Sequence, residues 1–248
     1  MNNTTAPKID RRKKYIVVID AETCNGTVSK TGQLDLKDSL VYDLGLAVID
    51  KRGNVYETHS FVIRDIFYGM SDVMKSAYYA DKIPAYHKDV WDGKRKVVSF
   101  LEAKLILRDI MEKYRTNVIC AHNALFDYRA LNTTQRYLTK SAFRYFFPYN
   151  VEFWDSLKMA RSVMGQMKTY QRFCQENGYM TRHKKPQCRF TAEICYKYII
   201  NDTNFTESHT GLEDVLIDDN NDFVSEEAMH VDAQIFFYVP DEIIDDGK

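Results

Sequence analysis

Tyr15-Ile16-Val17-Val18-Ile19-Asp20-Ala21-Glu22 is an apolar run that ends in two carboxylates one residue apart. Consecutive large apolar residues bounded by polar sequence predict a short strand buried on both faces, the pattern of a central strand flanked by helices. Side chains at i and i+2 of a strand point the same way, so Asp20 and Glu22 leave its C-terminal end on one face. Two acids close together in a largely apolar setting repel, and burying either is costly unless a cation lies between them. The pair therefore reads as half of a divalent-metal site. A strand that merely ends in solvated acids has the same sequence, so the other ligands must come from elsewhere in the chain.

Outward from this strand, Thr23 to Lys37 is rich in Gly, Thr, Ser and Asn and reads as a loop. Leu40 to Ile49 and Val55 to Ile63 flank a short polar segment with Gly53, which predicts a hairpin. With the Asp20 strand first, the chain opens as a three-stranded antiparallel meander. Asp65 to Arg95 is insertion-like, with a helix expected around Ser71 to Ala80, a connection containing Pro84, and aromatics Tyr78, Tyr79, Tyr86 and Trp91. Apolar residues from Val97 and Val98 through Met111 keep a helical period, so a helix is expected over Lys96 to Tyr114. Asn117 to Ala121 then reads as a strand parallel to the first.

His122-Asn123-Ala124-Leu125-Phe126-Asp127 follows that strand, with Asn123 placed to cap a helix and Asp127 one turn inside it. In open α/β sheets, sites form at the carboxyl ends of strands, where Asp20 and Glu22 also lie. Val151 to Asp155 predicts a fifth strand, and helices are expected over Ser156 to Val163, Tyr170 to Glu176 and Ala192 to Ile200. The aromatic run Phe143 to Tyr149 reads first as buried packing and second as a stacking platform for single-stranded nucleic acid. Near the C-terminus, Thr210 with Glu213 forms a capping box. Asp214 is then expected inside a helix, and His209 on the loop before it.

The chain has 248 residues and 45% apolar content, enough to bury a substantial core. Residues 1–14 form a polar, basic segment, 15–239 a single domain, and 240–248 an acidic tail. No apolar run suits a membrane span or a secretion signal, and the five cysteines, with no Cys-x-x-Cys pair, suit reduced thiols of a cytoplasmic protein. A zinc site from His183, Cys188 and Cys195 fits no common finger spacing. The net charge of -1 hides a basic block: Arg136 to Ile200 holds 12 Lys or Arg against 4 Asp or Glu. Within it, Arg182, Lys184, Lys185 and Arg189 are candidate phosphate contacts, although a solvated basic face has the same composition.

Asp20, Glu22, Asp127 and Asp214 are thus four carboxylates expected near one sheet edge, with His209 beside them. An all-oxygen donor set favours Mg²⁺ or Mn²⁺ over zinc, and two such ions suit phosphodiester cleavage. A histidine that titrates near neutrality is the natural general base for an attacking water.

Three stretches, Ile19-Asp20-Ala21-Glu22-Thr23, His122 to Asp127, and His209-x-x-x-x-Asp214, resemble in content and order the motifs of the DEDD exonucleases. The similarity is to the branch with a histidine in its third motif (DEDDh), which includes polymerase proofreading subunits; the middle of the chain also looks like exonucleases encoded by bacteriophages. The resemblance implies a ribonuclease H-like α/β fold: a mixed five-stranded sheet, three antiparallel strands then two parallel, with helices on both sides. It also implies 3′-to-5′ removal of nucleoside 5′-monophosphates from a single-stranded DNA end, with two divalent cations as cofactors and a replication polymerase or helicase as a possible partner. Under it, Asp20 bridges both metals, Glu22 and Asp214 hold the metal that binds the water, Asp127 supports the second, and His209 takes the water's proton. Thr23, Asn123 and Phe126 are the residues it offers for the 3′-terminal nucleotide. An exoribonuclease on short RNA would use the same five catalytic residues. A catalytically silent nucleic-acid-binding or polymerase-docking module would have no need of all five.

Overall fold

Ile16 to Ile19 are at most 1% exposed, so the opening run is buried on both faces, as a strand with a neighbour on each side and helices above and below must be. The computed structural model describes residues 9–25, 39–75, 77 and 79–206. In chain order the elements are β1 (Tyr15–Asn25), β2 (Ser39–Asp50), β3 (Val55–Ile63), α1 (Arg64–Phe67), α2 (Ser71–Met74), α3 (Ile83–Trp91) and β4 (Lys96–Val98). They continue as α4 (Phe100–Tyr114), β5 (Val118–Ala121), α5 (Ala124–Thr139), β6 (Glu152–Asp155), α6 (Ser156–Val163), α7 (Lys168–Glu176) and α8 (Ala192–Ile200).

The six strands form one sheet in the order β4-β3-β2-β1-β5-β6. β1, β2 and β3 are antiparallel neighbours, while β4 lies parallel to β3, and β5 and β6 run parallel to β1. The expected five-strand sheet is therefore corrected to six. The added strand is β4, whose Lys96, Val97 and Val98 pair with Phe61, Val62 and Ile63. The apolar period that suggested a helix from Lys96 holds only from Phe100. Ser99 caps α4 there, its hydroxyl accepting from Glu102 N at 3.1 Å while Glu102 Oε2 accepts from Ser99 N at 2.6 Å. The helix expected over Ser71 to Ala80 is also shorter than read, ending at Met74, and Pro84 sits in the first turn of α3, where a missing N–H costs nothing.

The main core lies under β1, β2 and β3 and is covered by α4 and α5. A second core joins α6, α7 and α8 around Met164, Tyr170, Cys174 and Cys195. The chain from Phe143 to Tyr149 divides: Phe146 and Phe147 are buried at 1% and 8%, whereas Phe143 and Tyr149 are 90% and 94% exposed. The reading of that run as buried packing is correct for its middle and wrong for its ends. Among the described residues no disulfide joins the cysteines, and no helix is long and apolar enough to cross a membrane.

Candidate active site

Ile16 and Val18 pack with Ile49 and Cys120 on the face of β1 that meets α6, and strand alternation continues that face to Asp20 and Glu22. A bulge follows at once: Glu22 lies opposite Asp43 but Thr23 lies opposite Val41. As a result Ala21 and Cys24, three residues apart, both enter the main core, which an unbroken pleat forbids. The two carboxylates are the last residues of the regular strand on their face. Asp43, directly across from Glu22, is fully buried and neutralised, with Arg95 Nη1 3.1 Å and Tyr86 Oη 2.6 Å from its Oδ2. This network balances the charge of the buried acid that faces half-buried Glu22.

Asp127 occupies the first turn of α5 and is 2% exposed. Three and four residues on, Ala130 and Leu131 enter the main core, so Asp127 belongs to the stripe of α5 that faces β1 and β2. Asn123 stands at the expected cap position, but its side chain makes no capping bond. Its backbone is left-handed, φ 68°, and is held so by one distant and one local partner: Asn123 N donates to Asp155 Oδ1 at 3.2 Å, and Asn123 O accepts from Phe126 N at 2.7 Å. Asp155 itself caps α6, accepting from Lys158 N at 3.3 Å. Thr23 and Phe126 are half-buried, and Asn123 is exposed at the strand ends.

A cleft of about 930 Å³ opens on this edge, with Asp20, His122 and Asn123 on one wall and Arg161, Gln187 and Arg189 on others. The far wall is set by the second core: Tyr170 stacks on Phe190 at 5.2 Å and its hydroxyl donates to Arg189 O at 2.6 Å. His122 ties the two walls together. Its Nε2 lies 2.8 Å from Phe190 O, which can only accept, so Nε2 carries the proton and Nδ1 accepts from Ser156 Oγ at 3.0 Å. Burial lowers the His122 pKa, against the Phe190 carbonyl and Asp155, which raise it, and the ring is held neutral. Beside the cleft, Arg182, Lys184 and Lys185 are exposed on a loop pinned at its base by Thr181 N to Gln187 O, 2.8 Å, and by a bridge between Met180 and Cys188.

The structure thus brings Asp20 and Glu22 to one face and buries Asp127 on the sheet side of the next helix. His209 and Asp214, with the capping box at Thr210, lie outside the described residues. Among the described residues no three His, Cys, Asp or Glu side chains come together as a group that could hold a metal ion. The donors that are described are all carboxylate oxygens, which suit a hard cation better than zinc. His122, Asp155 and Arg161 were not assigned roles from the sequence. The signal for the first two was present, since each stands at the carboxyl end of a strand parallel to β1. Arg161 carried none, because its place depends on how α6 crosses the sheet.

No family model matches the chain, and no curated protein matches it. Among solved structures, the chain is similar to one described as a full-length 3′-exonuclease, with 11% identity and a TM-score of 0.42 over 72% of this chain and 76% of that one. A likeness at that level carries no argument about function.

Proposed function

We propose that the chain is a metal-dependent 3′-to-5′ exonuclease acting on DNA ends, with a ribonuclease H-like fold of the DEDDh kind. The observation that carries this reading is the pairing of Asp20 and Glu22 on one face at the carboxyl end of a central strand, with Asp20 opening onto a cleft whose other walls hold Arg161 and Arg189. A carboxylate on one wall and guanidinium groups on another suit a metal-bound phosphodiester, which the arginines attract and orient. Asp20, Glu22, Asp127 and Asp214 would hold two Mg²⁺ or Mn²⁺ ions, which would supply activation of a water and neutralisation of charge on the leaving oxygen.

The protein's own groups divide the remaining work. His122 has both ring nitrogens engaged, by Phe190 and Ser156, and serves to position the cleft walls. The general base is assigned to His209 on the strength of the motif resemblance, since a histidine is suited to take the proton of an attacking water. Thr23, Asn123 and Phe126 are assigned to the terminal nucleotide. Digestion of end-labelled DNA and RNA, single-stranded and duplex, with Mg²⁺, Mn²⁺ or EDTA tests the proposal. Stepwise loss of mononucleotides from DNA supports it; preferential loss from RNA transfers the activity to RNA ends; no cleavage of any substrate rejects it.

A further inference from the structure

The outer stripe of α5 and the loop that follows it carry chemistry that the proposed reaction does not use. Arg129 and Tyr137 are exposed and Arg136 half-exposed at helical spacing. The only carboxylate on α5, Asp127, is buried, so the outer stripe has cations and an aromatic ring and no exposed acid. The loop then begins at Lys140 and closes at Asn150, both left-handed, with φ 51° and 62°. Its centre is anchored: Phe146 and Phe147 enter the main core, Phe146 N donates to Asn132 Oδ1 at 2.8 Å, and Lys104 Nζ donates to Tyr145 O at 2.5 Å. The anchor leaves Phe143 and Tyr149 outside, 90% and 94% exposed, with Arg144 exposed beside Phe143. The local field is positive: the Lys104 amine is pushed below its usual pKa, first by burial and then by the charges of Arg144 and Arg108.

From this juxtaposition we infer that the outer stripe of α5 and the 140–150 loop form a track for a single strand of nucleic acid, with the exposed rings stacking on bases and the arginines meeting phosphates. Rings interleaved with cations and free of exposed acid match such a strand. Protein interfaces also gather aromatic rings and Arg; what favours a polyanion here is that the cations run along the stripe and loop with no exposed acid among them. The inference rests on the exonuclease reading only for the strand's direction, from the cleft at the start of α5 to the loop at its end. α5 has 16 residues, about 24 Å at 1.5 Å per residue, which is roughly seven stacked nucleotides at about 3.4 Å each. Affinity should therefore increase with strand length beyond what the cleft alone can hold.

The test is fluorescence anisotropy of the full chain in EDTA, where binding is read without turnover, using labelled oligothymidylates of four and of sixteen nucleotides. The proteins are wild type, Phe143→Ala with Tyr149→Ala, and Arg129→Ala with Arg144→Ala. These side chains lie in water, so truncation leaves the core intact, and an unchanged melting curve verifies that. Wild type is expected to bind the longer strand more tightly, and the ring variant to lose roughly 10-fold or more of that affinity, closing the gap between the lengths. The arginine variant is expected to reduce the salt dependence of long-strand binding. An unchanged ratio between the two lengths in both variants overturns the track, as does loss of binding to anionic phosphatidylserine vesicles with oligonucleotide binding intact, which would make this a lipid surface. Tight, ring-dependent binding without any cleavage would reject the exonuclease reading and keep the track; cleavage with an unchanged length ratio would do the reverse.

Discussion

His122 Nε2 lies 2.8 Å from the carbonyl oxygen of Phe190, and this one bond joins the end of β5 to the core formed by α6, α7 and α8. It holds the cleft between its two walls, one carrying Asp20 and the other Arg189.

The bond has a pH consequence. Burial lowers the His122 pKa in the folded protein from the ordinary value of 6.5, so as pH falls the unfolded chain takes up the proton first. The contribution of neutral His122 is fully present above the unfolded value and is lost as pH falls through the depressed folded value, at a slope no steeper than about 1.4 kcal/mol per pH unit. Unfolding free energies measured in EDTA at about pH 7.5 and about pH 5.5 will show wild type losing more stability on acidification than His122→Asn. An equal loss in both proteins contradicts the neutral, buried ring.

A second buried pair involves Asp43, which lies directly across from Glu22 on β2. Asp43 and Arg95 are 0% and 3% exposed at their side chains, and they pair at 3.1 Å. Removing one partner of such a pair strands a buried charge, so Arg95→Ala is expected to cost about 3–5 kcal/mol in urea denaturation. The double variant Asp43→Asn with Arg95→Met, which removes the charge as well, should recover part of that loss. A cost under about 1 kcal/mol for Arg95→Ala would mean that solvent reaches Asp43.

The strand and helix of the site were legible because each is fixed locally. The apolar run Tyr15 to Ile19 specifies a buried strand, and the helix expected over Ala192 to Ile200 forms with those bounds, its first turn held by Thr191, which accepts from Ile194 N at 3.4 Å. What was illegible depends on distant partners. Val97 and Val98 suit a strand or the start of a helix, and the edge offered by Phe61 to Ile63 decides for the strand. Asn123 resembles an ordinary cap residue, yet its left-handed backbone answers to Asp155, 32 residues away. Phe146 and Phe143 belong to one aromatic run, and distant anchors at Asn132 and Lys104 hold the buried ring in while the other stays exposed. The shared face of Asp20 and Glu22 was readable from strand periodicity; Arg161, which lines the cleft with Asp20, was not, because a helix crossing brings it there.

The basic loop beside the cleft gives a salt-dependence prediction. If Arg182, Lys184 and Lys185 meet phosphates of a single strand, replacing all three with Ala will reduce the slope of log affinity against log salt by about 0.7 for each phosphate that is no longer neutralised. Single-turnover cleavage at saturating substrate should change little. An unchanged slope would make the loop a solvated surface.

The proposed roles of His209 and Asp214 separate in a paired experiment. His209→Ala is expected to lower the single-turnover rate by roughly 10²- to 10⁴-fold while Mn²⁺ affinity stays close to wild type, and to remove a rate inflection near neutral pH. Asp214→Ala should weaken Mn²⁺ binding itself. Equal loss of metal affinity in the two variants would make His209 a ligand.

The central claim is that the Asp20 carboxylate at the end of β1 serves hydrolysis at a 3′ end, and a 5′-labelled single-stranded DNA oligonucleotide tests it most directly. With Mn²⁺, the wild-type protein should shorten the oligonucleotide one nucleotide at a time. Excess EDTA should abolish that ladder, and so should Asp20→Asn, a nearly isosteric change that leaves the melting temperature of the metal-free protein equal or slightly higher. Undiminished shortening by Asp20→Asn, or by wild type in excess EDTA, would contradict the account.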